Sequence, residues 1–167
     1  KHGYPSVSEF KKNIAKLLKE YIVNGGFLFA MCSATDSFEI ALAAGKTDIV
    51  AAVYDDTPVD PNYASKIDFN KSFAFENYSL YTDPLLYEYS TIDVPPSHQP
   101  VTRGAEADYF TLFEFSAKWD PVPTMLTQDH VGVINGYMGQ TTGFNRNTLK
   151  KHVVILGEVE NSDMIKY

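Results

Sequence analysis

Residues 25–45 constrain this chain more than any other stretch. Gly25-Gly26 interrupts whatever precedes it. Phe27-Leu28-Phe29-Ala30 follows, an apolar run of the kind a buried parallel strand shows. Next comes Cys32, the only cysteine of the chain, among small residues. Asp36 and Glu39 then have the spacing of a capping box, with Asp in place of the usual Ser or Thr. A largely apolar segment runs to Gly45, which reads as a helix C-cap. The expected order is strand, sharp turn, helix, with Cys32 in the turn. That is the layout of a nucleophile elbow, which holds a reactive side chain above the carboxyl edge of a sheet.

A cysteine at that place has a chemical reason to react. The first N–H groups of a helix lack intrahelical partners, and the dipole there is positive. Both favour the thiolate. The backbone N–H of Ser33 would then stand where a developing oxyanion needs a donor. The competing expectation is an inert thiol, since unpaired cysteines are among the most commonly buried residues.

Residues 27–44 resemble the elbow segment of the class I glutamine amidotransferase-like superfamily. The usual amidotransferase elbow is Gly-x-Cys-x-Gly, whereas this chain has Ala30-Met31-Cys32-Ser33-Ala34, with small residues in place of both glycines. A nearer resemblance is to an uncharacterised bacterial family often labelled asparagine synthetase B, related to trehalose-utilisation-like proteins. It is carried by residues 27–36, by Gly136-Tyr137-Met138-Gly139-Gln140-Thr141-Thr142 and by Val153-Val154-Ile155-Leu156-Gly157-Glu158. The resemblance implies an α/β, flavodoxin-like parallel sheet with flanking helices. It also implies a cysteine nucleophile served by a histidine that a carboxylate orients. Amidotransferases supply that pair from a His-x-Glu motif, and this chain contains none. Of His2, His98, His130 and His152, His130 is the best internal candidate for the general base. The alternative is a residue outside this chain. No phosphate-cradling glycine loop is visible, so an ATP-dependent synthetase activity is not carried over.

The chain has 167 residues, one domain's worth, with a formal net charge of −7. That balance argues against a nucleic-acid or anionic-membrane surface, because both ask for basic patches. No apolar run is long enough to span a bilayer. A single cysteine forms no internal disulfide, so the compartment is undetermined. Nothing in the sequence asks for a cofactor. The chain opens on Lys1, and residues 161–167 read as the start of a helix, so it is expected to be part of a longer protein. In that case a sheet edge would be covered by the rest of the polypeptide or by another chain.

In chain order, Ser6-Val7-Ser8-Glu9 is a capping box, and Phe10, Ile14, Leu17, Leu18, Tyr21 and Ile22 recur at helical spacing. This amphipathic helix should end at Asn24-Gly25-Gly26, its lysines forming a solvated face. Residues 49–54 read as a short strand or the approach to one. The Asp- and Pro-rich loop after them holds Asp55, Asp56 and Asp60, oxygen ligands of the type Ca²⁺ takes but without EF-hand spacing. Residues 55–150 are expected to be an aromatic-rich β insertion, with strands at 69–75, 91–94, 109–115 and 130–135. Residues 136–146 read as a polar, glycine-containing segment, either a ligand loop or a plain connection, and 153–156 as a buried strand.

Two function classes stay open on sequence. One is an amidotransferase-like or hydrolase-like domain with Cys32 as nucleophile, Ser33 as oxyanion donor and His130 as base. The other is a non-catalytic module for a carbohydrate or a protein partner on the same fold. In either, Asp36, Gln140, Thr141, Thr142 and Glu158 are the candidate ligand residues, and no metal site is expected.

Overall fold

A computed structural model describes residues 3–30, 33–86, 89–93, 109–112, 133–135, 144–155, 157–158 and 164–166. The chain divides into two compact units, Lys1–Ile92 and Asp93–Tyr167.

The N-terminal unit is led by two helices, α1 (Val7–Val23) and α2 (Ser33–Ala43). The start of α1 is built as its sequence dictates. Ser6 is the N-cap, and its hydroxyl accepts from the Glu9 N–H at 3.1 Å. Two further N–H groups of this end, those of Val7 and Ser8, donate to Oδ2 of Asp55 at 2.8 and 3.3 Å. The far end is a Schellman motif. Gly25 adopts φ +92°, its N–H donates to Ile22 O, and the Gly26 N–H donates to Tyr21 O, each at 2.9 Å. A side chain on Gly26 would collide with the Tyr21 ring.

Two short helical turns follow, α3 (Ala52–Asp55) and α4 (Tyr63–Lys66), then a 3-10 turn over Phe69–Lys71. An antiparallel bridge between Leu80 and Ser90, with Tyr81 N–H donating to Tyr89 O at 2.8 Å, closes a hairpin. Phe75 and Ile92 are fully buried at the centre of this unit, with Ile40, Leu42, Ala43, Ala74 and Tyr78 also buried. Phe69 meets the Tyr78 ring edge-on, with centroids 4.8 Å apart.

In the C-terminal unit the strands are β1 (Tyr109–Leu112), β2 (Val133–Asn135), β3 (Phe144–Asn145), β4 (Gly157–Glu158) and β5 (Met164–Lys166). They pair in the order β2-β1-β4-β5-β3. Each pair is antiparallel, with Phe110 opposite Ile134, Thr111 opposite Glu158, Glu158 opposite Ile165 and Phe144 opposite Ile165. No parallel pairing occurs among the described residues.

Several expected elements take a different form. Residues 26–30 form no strand, and Phe27 and Phe29 are 82% and 73% exposed. An apolar run becomes a strand only beside a partner that pairs its backbone groups, and none of the described strands pairs with it. Residues 49–54 turn into α3 instead. The Asp48 carboxylate accepts the Val50 N–H at 2.9 Å, and the Tyr54 N–H donates to Ala51 O, so the backbone closes on itself. Around 69–75 an Asx turn at Asp68 starts a 3-10 helix rather than a strand. From 91–94, Asp93 contributes a single bridge to Phe144. Residues 153–155 are no strand, Val154 is 71% exposed, and pairing begins at Gly157. β-Branched composition makes a strand permissible but does not choose its partner.

Candidate functional site

Helix α2 starts at Ser33, one residue after Cys32. Asp36 and Glu39 are therefore inside the helix and do not form a capping box at its entrance. Both are buried. Glu39 reaches across to the chain after the 3-10 turn, where one carboxylate oxygen accepts the N–H groups of Phe73 and Ala74 at 2.8 and 3.1 Å. Its task is to satisfy two backbone donors that no helix or strand supplies. Nor does Gly45 act as a left-handed cap. The helix closes earlier, with the Ala44 N–H donating to Ile40 O at 2.8 Å. Within α2, the Thr35 hydroxyl donates back to Ala30 O at 3.3 Å and fixes the approach of the chain to the helix.

The N-terminal unit holds a cleft of about 840 Å³. Its size falls within the range of small-molecule sites. One wall is the first turns of α1, with Val7, Ser8, Lys11 and Lys12. A second is α2, with Ser33, Ser37, Ile40 and Ala44. The segment from Thr47 to Tyr54 and the 80–90 hairpin complete it, contributing Tyr54, Leu80, Tyr81 and Tyr89. Ser33 and Ser37 are one helical turn apart and place two hydroxyls on the same rim.

The sequence-predicted site residues are distributed unequally. Ser33 lines the cleft. Asp36, fully buried, does not line it. Glu158 is in β4 of the C-terminal unit. Cys32, His130, Gln140, Thr141 and Thr142 lie outside the described residues. His152 is exposed in a turn after the short 3-10 helix Arg146–Thr148.

The acidic loop is a structural network. The Asp55 carboxylate accepts from Val7 and Ser8, while its other oxygen accepts the Thr57 hydroxyl at 2.7 Å. These bonds, that of the Thr57 hydroxyl foremost, hold the Asp55 carboxyl below its ordinary value. Asp60 pairs with the Lys66 ammonium and accepts from Asn62 N–H and the Thr47 hydroxyl. The Lys66 bond leads in drawing its carboxyl down to about 2. No group of His, Cys, Asp and Glu among the described residues is arranged to hold a metal ion.

Sequence reasoning passed over the cleft. Lys11, Ile40, Tyr54, Tyr81 and Tyr89 come from four separate segments, so no local pattern marks it. Among the described residues no helix is long and apolar enough to cross a membrane. Set against protein-family models, curated proteins and solved structures, the chain matches none.

Proposed function

We propose that the chain is a cysteine-dependent amidotransferase-like or hydrolase-like protein of flavodoxin-like descent whose substrate enters the α1–α2 cleft. The observation that carries the reading is the start of α2. Its first residue, Ser33, lines the cleft, and Cys32 is the residue before it. A thiol at that point of the chain gains from the unpaired N–H groups and the dipole of an eleven-residue helix.

In this reading the Cys32 thiolate attacks the carbonyl carbon of an amide or ester. The Ser33 N–H stabilises the oxyanion. The general base, His130 or a residue outside this chain, takes the thiol proton and returns it to the departing amine or alcohol. Water then releases the acyl group from sulfur.

The test is an intact-mass experiment with p-nitrophenyl acetate and with glutamine. The expected result is a burst of p-nitrophenolate and a transient acyl mass on Cys32, both lost in Cys32→Ser. Turnover unchanged in Cys32→Ser, or no acyl adduct on the native chain, contradicts the reading.

A second reading has its own support. Tyr54, Tyr81 and Tyr89 are more than 40% exposed along the cleft. Exposed aromatic faces around a concavity suit a carbohydrate-binding module with no need of a reactive thiol.

A further inference from the structure

Helix α1 carries four lysines, Lys11, Lys12, Lys16 and Lys19. Three are committed within the protein. The Lys12 ammonium pairs with Glu9 and donates to Thr47 O at 3.3 Å. Lys16 faces Glu20 one turn on, at 3.9 Å. Lys19 donates to Lys71 O at 2.6 Å and stands 5.0 Å over the Phe73 ring. Lys11 alone has no partner among the described residues, and it is the one that joins Lys12 in lining the cleft.

The rest of the cleft is mainly apolar or aromatic. Ile40, Ile49, Val50 and Leu80 contribute hydrocarbon. Among the described residues the one lining carboxylate is Asp83, and one of its oxygens accepts the Leu85 N–H of its own turn at 2.9 Å. Lys12 is paired with Glu9, so in a protein of net charge −7 Lys11 is the ammonium of this described lining that stands without an ion-pair partner. An uncompensated ammonium beside apolar walls favours a ligand that brings both the countercharge and the hydrocarbon.

We infer that the cleft binds an amphipathic carboxylate, its anionic group held by Lys11 and its apolar or aromatic body laid against Ile40, Ile49, Val50 and Leu80. The inference names the substrate class of the cleft and rests on reading that cleft as the ligand site. It does not require Cys32 to react.

Isothermal titration with 4-phenylbutyrate and with 4-phenylbutanol, which differ in the carboxylate, tests it. Both probes are titrated into the full chain and into Cys32→Ser, so that failure of the thiol chemistry is read separately from failure of binding. The acid is expected to bind at least tenfold more tightly than the alcohol in both proteins. Lys11→Gln should abolish that preference, Lys11→Arg should keep it, and Lys16→Gln on the neighbouring turn should leave it unchanged. Equal binding of acid and alcohol, binding of neither, or loss of the preference in Lys16→Gln overturns the inference.

Discussion

Glu39 shows how one side chain can hold a segment that has no regular structure of its own. Its carboxylate oxygen receives two backbone N–H groups from 34 and 35 residues away. Glu39→Ala leaves one buried and one part-buried donor without that acceptor, which should lower stability by about 2–3 kcal/mol. Urea denaturation followed by circular dichroism measures it, and Glu39→Gln, which keeps an acceptor, should recover part of the loss. Tyr78 is the opposite case. Its ring is buried, yet its hydroxyl has no hydrogen-bond partner among the described residues. Burial, and secondarily the charge of Glu39, push its ionisation upward. Tyr78→Phe should therefore be neutral or stabilise the fold by about 1 kcal/mol, read as an unchanged or raised urea midpoint. Neither role was visible in sequence. Glu39 has the correct spacing for a cap, and local spacing cannot reveal that its partners come from a distant turn.

Helix α1 was the most legible element. Ser6, Glu9, the apolar spacing and Asn24-Gly25-Gly26 all act locally, so sequence alone carries both its ends. Ser6→Ala should cost about 1 kcal/mol through loss of the cap bond to Glu9 N–H. Gly25→Ala should cost about 1–2 kcal/mol, because φ +92° is strained for any residue with a Cβ. Thermal melts of both variants check these values. What sequence did not reveal is that Asp55, 48 residues from Val7, completes the same helix end. The elbow was legible only in its second half. Helix α2 forms, whereas residues 26–30 have no neighbouring strand among the described residues to convert an apolar run into a ladder. Strands β1 and β2 fall inside the expected 109–115 and 130–135 segments, whose aromatic and β-branched residues permit a strand but do not name its antiparallel partner.

At the scale of the whole molecule, the acidic loop ties stability to pH. Asp55 and Asp60 are both held below their ordinary values in the folded chain, Asp60 at about 2 against an ordinary 3.8. Folding therefore favours their ionised forms. The stabilisation is complete above about pH 4, where the unfolded chain is also ionised, and is lost as pH falls towards 2. The melting temperature should fall across that window. Asp60→Asn should be less stable than the native chain at pH 7, and the difference should shrink as pH approaches 2. The cleft belongs to this scale too, since its walls come from four segments that only folding assembles. No local pattern could announce it.

The proposed function needs Cys32, the residue before α2, to be an activated nucleophile. The most direct measurement is the rate of Cys32 alkylation by iodoacetamide as a function of pH, with intact mass to confirm a single adduct on the folded chain. An activated thiol reacts fast and titrates well below the free-thiol value of about 8.5. A reaction that titrates at or above that value, or that proceeds only in denaturant, would contradict the proposed function.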